Sequence, residues 1–473
     1  MSLPNWVKKH RAPKTEIKAI GNHYYVYEVS SVWDAKLRRA KKVSGKLLGK
    51  ITKEQGFIAR PARIAIDQKT RLCVKEFGVS HLIESKMKEY ADALKEHFQG
   101  EWQQILVTAY SRLLYQSPLK NISLHYDHSF LSEIYTDVSV SGKSISEMLH
   151  SVGSQRDKIV KFFKMFQGKG GYILVDGTSF TSNSDAPLVE LGYDPSKAFN
   201  PQAKLLFAYA QQQRAPVYYR LIPGNINDVK SFKLCLKESN LSDVTVITDK
   251  GFYSKSNVAE LQENNLRFII PLPRNSTLID YARFQTIDKS KFDGYFTFNN
   301  RIIWFKSNKN VTIYLNEELK LTEQNNYLKR IETHPEEYSI KEFHNKEHSF
   351  GTLALLSNLD HVTPQKIFSQ YKSRAAIEQL FDSFKNLLEA DRSYMRDNQG
   401  LEGWMFINYI ALCWYYKLYS LLLNANLLAK FSVADLLMRL SKITKIKLQD
   451  SWVFSEITSK SEKLLRNLDI HIT

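Results

Sequence analysis

Two short apolar runs in the sequence each end in an aspartate: Tyr172-Ile-Leu-Val-Asp176 and Val244-Thr-Val-Ile-Thr-Asp249. Both are rich in β-branched residues and read as buried strands, so each carboxylate sits at a strand end, where open α/β sheets place ligands. A lone strand-end aspartate is commonly only a turn former. A third acid changes the weighing. Read as one helix at about 100° per residue, the segment 371–385 puts Tyr371, Arg374, Glu378 and Lys385 within an arc of roughly 60°. Ile377, Leu380, Phe381, Phe384 and Leu388 form the neighbouring apolar stripe. Such a helix can bury one stripe beside a sheet and aim Glu378 at the two aspartates. The competing reading is a solvated stripe with Arg374–Glu378 as an ordinary ion pair one turn apart. Three convergent carboxylates repel one another and need cations, and their oxygens select hard ions such as Mg²⁺ or Mn²⁺. Two such ions about 3.5–4 Å apart suit phosphodiester cleavage and transfer. Arg374, Lys385 and Tyr371 would then hold phosphates, as a fork, a point charge and a neutral donor.

The elements around these residues predict an α/β fold. After Gly170-Gly171, strands alternate with helical segments: YILVDGTSF, the pair KLLFAYA and PVYYRLIPGN, VTVITDKGF, helical SNVAELQENN and the strand RFIIPLP. Residues 275–350 carry short alternating runs, GYFTFNNRIIWF and VTIYLNEEL, and read as a β-rich insertion. GTLALLSNLD returns to a buried strand, and the chain reads as helical from Thr363 to near its end. The expected division is a basic β-rich region (1–78), a helical DNA-binding region (79–169), a first core part (170–274), the insertion (275–350), a second core part with the catalytic helix (351–424) and a helical terminus (425–473). In the second region, two helices joined at Val152-Gly153-Ser154 have the form of a pair that could enter a major groove, or of ordinary packing.

The spacing Y-x2-R-x3-E-x6-K at Tyr371, Arg374, Glu378 and Lys385 resembles the signature of bacterial insertion-sequence transposases of the insertion-sequence-four family. VDGTSF, VITDKGFYS and the intervening PVYYRLIPGNINDVKSF also resemble that family, so the likeness spans about Tyr172 to Asn424. It implies an RNase H-like catalytic core, a mixed sheet flanked by helices, interrupted by the β-rich insertion. Asp176, Asp249 and Glu378 would be the ligands of two Mg²⁺ ions, with Mn²⁺ as an alternative. Tyr371, Arg374 and Lys385 would contact DNA near the cut. The implied partners are the element's terminal inverted repeats, target DNA and a second copy in a synaptic homodimer. Trp304 in IIWF would either hold a flipped base or pack within the insertion. A nuclease that cuts without joining, and a catalytically silent DNA-binding descendant, are the rival readings.

Bulk properties agree with a nucleic-acid partner. The chain has 473 residues and a formal net charge of +17. Residues 1–60 carry 14 Lys/Arg against 4 Asp/Glu, and such clustering marks a phosphate-binding surface. NHYYVYEVSS and KKVSGKLLGKIT flank the basic loop AKLRRAKK, so a β-ribbon with Arg38, Arg39, Lys41 and Lys42 at its tip is expected to contact DNA. Cys73, Cys235 and Cys413 stand far apart and form no zinc spacing or disulfide framework. The stretch Trp404–Leu423 is very apolar but contains Asn408 and Lys417, which makes it a core helix rather than a membrane span. A cytoplasmic, nucleoid-associated protein without membrane contact is expected. Asn225 and Asp228 fall in a turn, with Asp228 as a helix N-cap. His23, His125 and His128 show no ligand spacing.

Overall fold

A computed structural model describes residues 3–21, 23–34, 38–60, 72–168, 170–182, 186–193, 199–224, 226, 228–284, 289–390 and 392–472. The chain divides into two compact units, Met1–Leu72 and Cys73–Thr473. In the first, β1 (Thr15–Ile20), β2 (His23–Asp34), β3 (Arg39–Thr52) and β4 (Gly56–Ala59) form an antiparallel sheet in that order. The alternation in β2 turns Val26 inward, where it meets Val7 and Ile51 under Trp6 and Tyr24. Beyond that small core, β2 and β3 continue as a ribbon to the pair Asp34↔Arg39.

The second unit contains β5 (Cys73–Glu76), β6 (Tyr172–Ser182), β7 (Glu190–Tyr193), β8 (Phe199–Ala210), β9 (Ala215–Pro223), β10 (Thr245–Thr248), β11 (Arg267–Pro271), β12 (Gly294–Phe298), β13 (Arg301–Asn308), β14 (Val311–Asn316), β15 (Thr352–Ser357), β16 (Arg392–Ser393), β17 (Thr444–Leu448) and β18 (Ser451–Phe454). Eleven of them make one mixed sheet. Its main path runs β12-β13-β14-β15-β11-β10-β6-β8-β7, with β9 on β8 and β16 on β6. β10 runs parallel to both β6 and β11, while β6–β8, β8–β9 and β11–β15 are antiparallel. The central strands are apolar on both faces: all four residues of β10 and Ile173–Val175 of β6 are buried.

The segment 275–350 extends this same sheet, because β14 pairs with β15. It is not β throughout. Helices Glu317–Thr333 and Ile340–Lys346 follow β14 and share a small cluster of Tyr327, Phe343 and Phe350. The terminus also departs from the expected helical reading, since β17 and β18 form a hairpin that pairs with β5. Asp228 is the first residue of helix Asp228–Ser239 rather than the residue before it, and Asn225 lies outside the described residues.

The helices between 79 and 169 do not stand apart. They share one apolar core with the sheet and with the long helix Asn398–Asn424. Helix Gly142–Gly153 turns Ile145, Met148, Leu149 and Val152 into that core. A Cβ on Gly403 would come within 2.0 Å of the Leu149 carbonyl, and one on Gly153 within 1.8 Å of that of Gln399. Glycine at both positions therefore sets how closely these helices cross. The apolar stretch Trp404–Leu423 is protein core, with Trp414 and Ile410 fully buried. Among the described residues no helix is long and apolar enough to cross a membrane.

Arg156 fastens helix Arg156–Lys164 to this assembly. It donates to Glu238 at 2.6 Å, to Glu402 at 2.8 Å and to the Tyr219 carbonyl at 2.6 Å. Burial opposes ionisation of Glu238, but hydrogen bonds from Arg156 and Tyr218 and the charge of Arg220 hold its pKa at about 2. Removing one member of such a set strands the others. Arg156→Ala should cost about 3–5 kcal/mol in urea unfolding. Since the folded pKa of Glu238 is depressed below 4.5, its stabilisation is complete above that pH and fades as pH falls towards 2. The parent should lose stability across that window more steeply than the variant; parallel pH curves would contradict the assignment.

Candidate active site

β10 pairs with β6 so that Thr248 lies opposite Val175. The next residue on each strand is an aspartate, so parallel register alone sets Asp249 beside Asp176 on neighbouring strands about 4.8 Å apart. Asp176 is not at a strand end as expected. β6 runs on to Ser182, with Asp176 paired to Phe207 of β8. Asp249 does end its strand, and the short turn Lys250–Phe252 follows it.

Between the two carboxylates lies one guanidinium. Arg374 Nη2 donates to Asp176 Oδ2 at 2.8 Å, and Nη1 donates to Asp249 Oδ1 at 3.1 Å. The other oxygen of Asp176 accepts the Gly177 N–H at 2.8 Å. Nη1 also lies 3.4 Å from the Tyr371 hydroxyl, and the cation sits 5.7 Å from the centre of that ring. Burial pushes the Asp176 carboxyl above its ordinary pKa, and Arg374 pulls it back only in part. Burial likewise disfavours the Arg374 cation, but Asp176 and Asp249 outweigh this and raise its pKa. Arg374 Nε is buried and has no hydrogen-bond partner among the described residues.

The single helix expected over 371–385 is in fact broken. Helix Pro364–Lys372 carries Tyr371 and ends at Ser373, Arg374 precedes helix Ala375–Asp382, and Ser383–Leu387 is a π-helical turn. One wheel therefore cannot describe the four residues. The apolar stripe survives the breaks: Ile377, Leu380, Phe384 and Leu388 are all fully buried, with Phe384 against Phe207. The polar stripe does not converge. Arg374 meets the aspartates with Tyr371 beside it, whereas Glu378 is exposed. Lys385 lines a groove with Arg112 and Lys120. Among the described residues, no group of three or more His, Cys, Asp or Glu is arranged to hold a metal. The physical reason is charge: the largely buried Asp176 and the half-buried Asp249 beside it draw one cation, Arg374, between them, and Glu378 faces water.

The Asp pair nevertheless suits a hard cation. Its donors are all oxygen, a single positive group already bridges them, and Mg²⁺ is commonly held by only one or two carboxylates with water and phosphate. The sequence reading missed Gly177, whose N–H fixes Asp176. The strand expected to end at Asp176 runs on through Gly177 to Ser182.

Trp304 packs against Tyr295 at 5.1 Å and Phe292 at 5.8 Å, with Lys289 over its ring. It belongs to a small aromatic cluster of β12 and β13. In the first unit, Arg38 has a left-handed backbone (φ 47°), and Arg39, Lys41 and Lys42 lie along β3 at the ribbon's tip. Lys42 is engaged by Glu16 at 3.0 Å. Residues 35–37 of the expected loop lie outside the described residues.

Residues 168–414, just over half of the chain, match the family described as transposase DDE domain. No curated protein matches. A piggyBac transposase, solved by cryo-electron microscopy in a synaptic complex with hairpin DNA, is similar in structure with 14% identity and a TM-score of 0.41, covering 77% of this chain and 76% of that one.

The bridge predicts a coupling measurable without any substrate. Arg374→Gln should lower unfolding free energy by about 1–3 kcal/mol, because it removes two hydrogen bonds to charged acceptors and leaves the carboxylates facing each other. Adding Asp176→Asn should restore part of that loss. Strictly additive losses in the double variant would show that the bridge contributes nothing.

Proposed function

Because the chain belongs to the transposase DDE-domain family, we propose that it cuts DNA at the ends of a mobile element and joins them to target DNA, using Asp176, Asp249 and Glu378. The observation that carries this reading is the placement of Asp176 and Asp249 side by side on parallel strands around one shared positive group. The mixed sheet with helices packed on it supports an RNase H-like core, and the Tyr371, Arg374, Glu378 and Lys385 spacing supports an insertion-sequence-four-like member of the family.

In this reading Asp176 and Asp249 hold Mg²⁺, or Mn²⁺ in its place. Glu378 joins them as the third acid. It lies in the helix that Arg374 precedes, and its exposed side chain would have to turn inward to reach the pair. Divalent ions held there would supply activation of a water or a 3′-hydroxyl and stabilisation of the leaving oxygen. The chain's own groups do the positioning. Gly177 N–H keeps Asp176 from rotating. Arg374 exchanges its carboxylate partners for a phosphate, to which its planar fork is matched, and its unpaired Nε gains an acceptor in that exchange. Tyr371 offers a neutral hydroxyl beside it. The basic ribbon of the first unit would grip the terminal inverted repeats, and two copies would pair the ends.

A strand-transfer assay with pre-cut ends tests this directly. The parent should nick and join in Mg²⁺. Asp176→Asn, Asp249→Asn and Glu378→Gln should each reduce both steps by about 10²–10³ while remaining folded, as expected for the loss of several kcal/mol of transition-state stabilisation. Full activity in Asp176→Asn would refute the site. Nicking without joined product would instead identify a nuclease.

A further inference from the structure

Lys385 lines a groove of about 790 Å³. One wall is the end of helix Trp102–Tyr115 with the residues after it, and the other is the π-helical turn Ser383–Leu387. Lys120 and Lys385 stand on the walls, and Tyr394 stands on the rim. Tyr394 is 76% exposed, more than any other large apolar side chain among the described residues.

Arg112 forms the floor and is 5% exposed. Its guanidinium donates to Asn408 Oδ1, to the Gln116 and Ser117 carbonyls at 3.0 Å each, and to the Leu388 carbonyl. Every one of these acceptors is neutral. Burial lowers its pKa to about 10, with only Glu389 opposing. Buried charges normally have an ionic partner, whereas the acceptors on Arg112 are neutral and Glu389, which also lines the groove, offsets its charge only in part. Two rim residues that bring carbonyls to Arg112, Gln116 and Glu389, adopt left-handed backbone (φ 48° and 47°). Such strain is found where a site is held in shape by its surroundings.

We propose that this groove is a track for one DNA strand, in which Lys120 and Lys385 contact backbone phosphates and Tyr394 stacks on a base. The proposal rests on the transposase reading and extends it away from the aspartates. Lys385 follows Glu378 by seven residues, about 10 Å along the helical segment, or roughly three base steps at about 3.4 Å each. A basic channel with an exposed aromatic face is how proteins hold single strands without reading sequence.

The test uses the full chain and a fluorescein-labelled single-stranded oligonucleotide of mixed sequence, with affinity measured by anisotropy over a range of salt. Tyr394→Ala should weaken binding about tenfold with little change in salt dependence, and Tyr394→Phe should bind like the parent. Lys120→Ala should weaken binding and lower the slope of log affinity against log salt by about 0.7. Both side chains are exposed, and circular dichroism checks that the fold is kept. Parent-like affinity and slope in both Tyr394→Ala and Lys120→Ala would overturn the groove while leaving the Asp176–Asp249 reading untouched. Failure of the parent itself to bind at low salt would likewise overturn the groove, whereas the strand-transfer assay alone decides the Asp176–Asp249 reading. Equal displacement by an acidic peptide would overturn the assignment of DNA as the occupant.

Discussion

Two carboxylates that the sheet places side by side repel each other unless a positive charge lies between them. Parallel pairing of β6 and β10 leaves no freedom in this, because a one-residue slip would turn either aspartate to the opposite face. The surrounding strands are apolar, so water cannot screen the pair fully, and the Asp176 carboxyl is correspondingly hard to ionise. Arg374 answers that problem from the other side of the site. Its backbone stands at the break between two helices, and its guanidinium spans both acids. The same demand for positive charge that draws Arg374 inward would, under the proposed function, suit the pair to a divalent ion. A phosphate is the natural competitor for the guanidinium, so substrate and cation would each favour arrival of the other.

The rest of the second unit holds this geometry in place. Phe207, the cross-strand partner of Asp176, packs against Phe384, and the buried stripe Ile377, Leu380, Phe384 and Leu388 anchors the helical segment behind Arg374. Helix Asn398–Asn424 backs the sheet and is itself crossed closely at Gly153 and Gly403. Arg156 and its carboxylates tie the helices before the sheet to those after it. The site is therefore supported by elements from most of the length of the unit.

Much of this was legible in the sequence where burial dictates composition. The two aspartates announced themselves because the strands before them are apolar on both faces. The stripe from Ile377 to Leu388 was legible because helical spacing survives a local break. The break itself was not, since residues 371–385 contain neither proline nor glycine. It is tied to the pull of two distant carboxylates on Arg374 and to a π-helical turn, and neither is a local preference. The same turn carries Lys385 into the groove. Helices Glu317–Thr333 and Ile340–Lys346 were read as strand-rich sequence because each turns little apolar surface inward, with Tyr327 and Phe343 their only buried residues. The β17–β18 hairpin was hidden in a terminus whose neighbours are helical. Arg112 gave no signal at all, because an arginine in an amphipathic helix is ordinarily solvated.

The central claim is that Asp176 and Asp249 together form one cation seat, kept neutralised by Arg374. Titration of the full chain with Mn²⁺, followed by electron paramagnetic resonance, measures occupancy of that seat without any turnover. The account predicts saturable binding in the parent, tighter binding in Arg374→Gln and loss of that binding in the Asp176→Asn, Asp249→Asn double variant. Equal Mn²⁺ binding by the parent and the double variant would contradict it.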